Sequence, residues 1–166
     1  MSTMSRRGML LGSAALVAGC AETSRFLAYD GPAVTGILLF KQDRQMMLLQ
    51  DSQVLKRYEF ELGFAPLGPK QVEGDGRTPE GQYWIDRRNP NSAYHLSLGI
   101  SYPNADDVAR ARAMGRPPGG EIFIHGTPER YLGARDWTVG CIAVTNQEIE
   151  EIYSMVTVGT PIWIMP

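Results

Sequence analysis

Apolar residues along this chain fall in short runs, not in long helical stripes. Ile37-Leu38-Leu39-Phe40 and Met46-Met47-Leu48-Leu49 are continuous apolar runs split by the polar segment Lys41-Gln42-Asp43-Arg44-Gln45. Runs of this length bounded by turn formers predict two buried strands of a hairpin. Asp51-Ser52-Gln53 reads as a turn, and residues 54–62 then set Leu55 against charged and aromatic neighbours as a third strand. Three strands joined by short turns predict an antiparallel meander. Tyr83-Trp84-Ile85 and residues 95–100 predict two further strands on either side of the turn Asn89-Pro90-Asn91. Residues 121–125 predict a short strand ending in histidine, and residues 161–164 close the chain as another.

Two stretches carry helical signals instead. Over residues 104–115, Asn104 can cap, Asp106 and Asp107 lie in the first turn, Arg110 and Arg112 in the last, and Gly115 can end the helix. Asn146 is expected to cap a second helix over 147–155, where Ile149, Ile152, Tyr153 and Val156 share helical spacing. Residues 63–81 are rich in Gly and Pro and predict one long loop. A loop of that length in a compact domain is usually functional or a lid. The balance is strand-dominated with about two helices, and no internal repeat is visible.

The N-terminus breaks this pattern. Arg6 and Arg7 precede the small, apolar residues 8–18, and Val17-Ala18-Gly19 leads into Cys20. That is the layout of an export signal, with an apolar run too short to span a bilayer. Ser5-Arg6-Arg7-Gly8-Met9-Leu10 loosely matches a twin-arginine signal. Val17-Ala18-Gly19-Cys20 resembles a bacterial lipobox, in which the cysteine becomes the lipidated first residue; more than one acyl chain gives stable anchoring. An uncleaved anchor or a plain cleaved signal is the alternative. The expectation is an export signal over 1–19, a lipidated N-terminus and tether over 20–33, and one domain over 34–166. The protein would then sit in the periplasm, held to a membrane by lipid. Ala21, not aspartate, follows Cys20 and points to the outer membrane.

Composition adds two constraints. The 166 residues suffice for one domain with a sizeable core. A formal net charge of −2 leaves no electrostatic footprint for nucleic acid.

With Cys20 lipidated, Cys141 is the one remaining cysteine and no disulfide can form within the chain. An exported protein that keeps one unpaired thiol is unusual, because that compartment oxidises thiols. The two histidines are His95 and His125. His125 ends an apolar strand before Gly126-Thr127-Pro128, and Cys141 follows sixteen positions later, so a looped-out connection could bring them together. A free thiol with a pKa of about 8.5 is mostly protonated at neutral pH, and an adjacent imidazole can take its proton. The imidazole needs one tautomer held by a partner on its other nitrogen; no acid is placed for that, and the Gly126 carbonyl is a candidate. The backbone amides of Val139, Gly140 and Cys141 could stabilise an oxyanion, with Gly140 free to take positive φ. The plainer alternative is that Cys141 is a buried small hydrophobe and His125 a hydrogen-bonded filler. His95 alternates within a strand and reads as structural or cleft-lining. One cysteine and two histidines lack the paired spacing of a zinc site.

His125-Gly126-Thr127, followed by Thr138-Val139-Gly140-Cys141-Ile142-Ala143-Val144-Thr145-Asn146, resembles the L,D-transpeptidase (YkuD-type) catalytic domain. Its signature is His-Gly, a loop, then Ser/Thr-His-Gly-Cys. Residues 74–83 (Gly-Asp-Gly-Arg-Thr-Pro-Glu-Gly-Gln-Tyr) and 96–104 (Leu-Ser-Leu-Gly-Ile-Ser-Tyr-Pro-Asn) resemble its proteobacterial branch. The resemblance spans roughly 34–166. It implies a mostly β, sandwich-like fold of mixed strands with helices at its edge, and no cofactor. It makes Cys141 the acylated nucleophile, His125 the base, Gly126 the source of the orienting carbonyl, and the 139–141 amides the oxyanion hole. The implied partners are peptidoglycan stem peptides, handled by a monomer.

Val139 stands where the family usually has histidine, Ala143 where it usually has arginine, and the loop before Thr138 is somewhat short. These departures bear on substrate contact and on the fate of the acyl-enzyme. Amine attack would give 3→3 cross-links. Water would give an L,D-carboxypeptidase or an amidase, and a non-catalytic wall-binding lipoprotein is the reading from another class. Thr138, Trp137, Tyr102, Arg77 and Arg130 are the candidate substrate contacts, with Lys70 a further anchor for carboxylates.

Overall fold

The structure, a computed structural model, describes residues 24–166. Cys20, with the expected export signal and lipidation site, lies outside the described residues. The meander forms as the pattern predicts. Strands β1 (Gly36–Phe40), β2 (Gln45–Gln50) and β3 (Gln53–Glu59) pair antiparallel, with Gly36 opposite Leu49 and Gln45 opposite Glu59. Ile37, Leu39, Met46 and Leu48 point inward and are fully buried, as alternation within each strand requires.

The remaining strands are β4 (Gly81–Asn89), β5 (Ser97–Ile100), β6 (Phe123–His125), β7 (Ile142–Ala143) and β8 (Pro161–Met165). The sheet order is β3-β2-β1-β8-β4-β5-β6-β7. The chain's last strand thus inserts beside its first, parallel to β1 and antiparallel to β4. The long strand β4 serves both halves: its first residues pair with β8 and its last with β5, with a bulge between Ile85 and Arg87. A bulge bends a strand and increases twist, which lets one sheet curl into a sandwich-like body. Beyond β3, Glu61 exchanges both backbone hydrogen bonds with Ala143 of β7 (2.8 and 2.9 Å), and Gly63 bridges to Thr138. The two ends of the curled sheet are therefore laced together, and the segment just beyond β3 covers the outer edge of β7.

Helix α1 (Ala105–Ala113) begins at Asn104 with a reciprocal capping box through Asp107, which also accepts a hydrogen bond from Tyr83 (2.9 Å). Helix α2 (Asn146–Met155) starts one residue earlier than expected, because Thr145 and not Asn146 is its cap. The Thr145 hydroxyl accepts from the Glu148 amide (3.2 Å) and Glu148 returns a carboxylate to the Thr145 amide (2.8 Å). Ile149 and Ile152 of α2 pack into the main core. His95 does not belong to β5: it takes φ +73°, and its Nε2 lies 2.6 Å from Glu150 of α2. That contact pins the turn before β5 to the helix, so its role is structural.

Candidate active site

The site is built on the shortest strands of the sheet, β6 and β7, which run parallel with Ile124 opposite Ile142 and His125 opposite Ala143. Continuing that register places Cys141, the residue before β7, level with Phe123. Side chains two apart on a strand share a face, so Cys141 and His125 emerge on the same side of the pair.

His125 is almost wholly buried. Its Nδ1–H donates to the Gly126 carbonyl at 2.7 Å, which leaves Nε2 as the basic nitrogen. Tyr94 stacks on one face of the ring (centroids 4.4 Å apart, 27°), and Trp137 meets it edge-on (5.6 Å, 60°). Trp137 in turn lies flat on Tyr131 (4.1 Å, 12°). Burial pushes the His125 pKa below 6.5, against the opposing pull of the Gly126 carbonyl. Gly126 itself is hemmed in: a Cβ there would strike Asn146 Oδ1 and lie 3.0 Å from the Tyr94 carbonyl.

The Cys141 thiol is partly buried, and burial pushes its pKa up, partly offset by the Phe123 backbone and the Lys70 ammonium. Its Sγ–H donates to the Glu121 carbonyl at 3.4 Å and not to His125. Burial thus disfavours the charged form of both groups, the imidazolium of His125 and the thiolate of Cys141.

The turn that presents Cys141 is fixed by hydrogen bonds. Gly140 has φ +127°, and a Cβ there would lie 2.5 Å from the Arg77 carbonyl, so only glycine fits. Thr78 Oγ1 donates to the Gly140 carbonyl (2.8 Å), the Gly140 amide donates to Thr138 Oγ1 (3.1 Å), and Thr138 Oγ1 donates to the Cys141 carbonyl (2.8 Å). The Gly140 amide is therefore already engaged within the turn and is not a free oxyanion donor. Thr138 is buried and braces the turn. Among the described residues, the amides of Val139 and Cys141 have no protein acceptor.

Residues 35–164 match the family model of the YkuD L,D-transpeptidase catalytic domain. The chain belongs to that family. It is 36% identical over 127 residues to "Putative L,D-transpeptidase YafK" of Escherichia coli (strain K12), a match covering 73% of this chain and 46% of that protein. The chain spans about half the length of the curated relatives it matches. Among solved structures it is similar to the helical cell shape determining protein Pgp2 from Campylobacter jejuni (TM-score 0.61, 26% identity, 84% of this chain and 50% of that one). An L,D-transpeptidase from Mycobacterium smegmatis (TM-score 0.54, 16% identity, 81% and 59%) shares the fold.

The β6/β7 register sets Cys141 and His125 on one face, while the residues around them divide between two cavities. A cavity of about 350 Å³ holds Cys141 with Val139, Lys70, Glu73, Glu121 and Ile122 among its walls. A second of similar size is lined by Trp137, Tyr131, Leu132, Ala143, Glu59 and Glu148. Val139 is exposed at the mouth of the first, and Ala143 lies in the wall of the second, so both departures from the YkuD pattern face the cleft region.

Tyr102 does not reach either cavity. It is a core residue, packed edge-on against Tyr83 (6.0 Å) and donating to the Pro118 carbonyl (3.0 Å); burial pushes its pKa up to about 12. The Arg77 carbonyl crowds Gly140 while its guanidinium lies beside Gly68, and Arg77 does not line the Cys141 cavity. Arg130 is exposed and stacks over Tyr131 (4.9 Å). Sequence reasoning missed Tyr94 and Tyr131, which reach His125 and Trp137 from a turn and from the short 3-10 helix Glu129–Tyr131, where no strand or α-helix periodicity marks a side chain's direction. It also missed Thr78, although this residue sits inside the 74–83 stretch that carries the family resemblance.

Proposed function

We propose that this YkuD-family chain acts on peptidoglycan tetrapeptide stems through a cysteine acyl-enzyme, exchanging the terminal residue for an amine from a second stem to give 3→3 cross-links. The observation that carries this reading is the bond from His125 Nδ1–H to the Gly126 carbonyl, which presents a basic Nε2 on the face from which Cys141 emerges.

Cys141 leaves the Glu121 carbonyl and attacks the carbonyl of the third, diamino-acid residue, while Nε2 takes the thiol proton. The oxyanion meets the Val139 and Cys141 amides. Collapse breaks the amide bond, and His125 returns the proton to the departing D-alanine amine. An amine of a second stem then attacks the thioester, His125 takes its proton, the C–N bond forms, and the thiolate is reprotonated. Val139 contributes through its backbone, so the loss of the family's usual histidine side chain leaves this donor in place.

The likeness to Pgp2, described as determining helical cell shape, supports a role in wall architecture. An export signal over 1–19 and a lipid on Cys20 would hold a monomer in the periplasm beside this substrate.

Incubation with purified muropeptides and mass analysis of the products tests the reading. A cross-linked dimer supports it. Tripeptide alone makes the protein an L,D-carboxypeptidase, and release of a wall-linked protein makes it an amidase. Activity retained by Cys141→Ala rejects the acyl-enzyme. Palmitate labelling lost in Cys20→Ser tests the anchor.

A further inference from the structure

The long loop between β3 and β4 places a buried cation in the nucleophile's cavity. Lys70 is 3% exposed, yet it lines the same cavity as Cys141 and contributes electrostatically at the thiol. Its ammonium donates to Asp75 Oδ1 (2.9 Å) and the Val72 carbonyl (3.2 Å). An ammonium has three N–H donors. Among the described residues, the third has no protein acceptor.

Asp75 does not depend on Lys70 for its own satisfaction. It also accepts the backbone amides of Gln71 (2.7 Å), Val72 (3.1 Å) and Arg77 (3.0 Å). Burial alone would raise the Asp75 pKa, but these bonds together with Lys70 outweigh it and hold the carboxyl below its usual range. Asp75 balances the Lys70 charge, and the feature left for a ligand is the third N–H of the ammonium. The two other charged residues in the cavity wall, Glu73 and Glu121, are exposed, and Glu121 is paired with Arg87 (3.1 Å). Solvent screens these rim carboxylates, whereas a buried donor with one open N–H makes a strong charge-assisted hydrogen bond to an entering anion.

We infer that Lys70 forms a carboxylate-binding subsite beside Cys141, which selects the stem peptide by a free carboxylate near the scissile bond. This rests on the stem-peptide reading above. Two sources share that chemistry: the terminal carboxylate of the departing residue, and the side-chain carboxylate of the diamino acid.

The experiment uses three synthetic tetrapeptide stems: unmodified, amidated at the C-terminus, and amidated at the diamino-acid side chain. Wild-type protein is expected to lose at least tenfold in kcat/KM on one amide and little on the other, and the sensitive amide names the source. Lys70→Met is expected to lose the same factor on the unmodified stem, chiefly through KM, and to treat it and that amide alike. Lys70→Arg should restore part of the preference. Should Lys70→Met fail to fold, the variant carrying Lys70→Met with Asp75→Asn removes both charges and is read in its place. Equal handling of all three stems by the wild type overturns the subsite, as does a uniform loss across all three in the variant, which marks a structural role. No turnover of any stem by the wild type instead rejects the parent function, and this inference with it.

Discussion

His125 sits almost out of water between Tyr94 and Trp137, and its protonation carries a cost that shows in both activity and stability. Because burial lowers its pKa, the acid limb of the pH profile of kcat/KM should fall below 6.5. A limb above 7 would reject a neutral, buried base. The sign for stability is the same. As pH drops below 6.5 the unfolded chain takes up the proton first, so this part of the stability is present above that pH and lost on acidification. The Cys141 thiol is shifted the other way. Its alkylation in the absence of substrate should stay slow at neutral pH and accelerate only above the ordinary thiol range. Gly140 is the residue least able to change. Gly140→Ala meets the Arg77 carbonyl at φ +127°. It should cost on the order of 1–3 kcal/mol in urea unfolding and abolish turnover, because the turn that aims Cys141 must distort.

At the scale of elements, the helices are held by local chemistry and the long loop by distant contacts. The Thr145–Glu148 capping box satisfies first-turn amides of α2 that would otherwise be orphaned. Thr145→Ala should lower stability by about 1 kcal/mol in urea titrations, with the pH profile unchanged. The loop between β3 and β4 has no regular structure, yet Lys41 reaches the Gly68 carbonyl (2.6 Å), the Thr78 carbonyl (3.2 Å) and Glu80 (2.8 Å) from the end of β1. Burial lowers the Lys41 pKa, while Glu80 offsets part of the shift. Lys41 thereby fixes Thr78, whose hydroxyl holds Gly140, so the nucleophile's position is tied back to the central strands.

At the scale of the whole molecule, the lacing of Glu61 to Ala143 joins the two ends of one curled sheet and holds β7 with Cys141 beside it. Glu61→Pro removes the N–H that reaches the Ala143 carbonyl and should cost about 3 kcal/mol or more, with loss of turnover and faster amide exchange in β7. Unchanged exchange there would show that the closure is not what positions the site. The amino-acid sequence by itself determined the meander, the capped helix α1, the Gly- and Pro-rich loop and the pairing of Cys141 with His125 as the chemistry to examine. Each follows from local periodicity, local capping or a short contiguous motif. Only the tertiary structure decided that β8 lies beside β1, that two residues suffice for β7, that the Gly140 amide is already engaged, and that Tyr102 belongs to the core while Tyr94 walls the base. Parallel pairings and the directions of loop side chains depend on partners far along the chain, and no period of two or 3.6 residues encodes them.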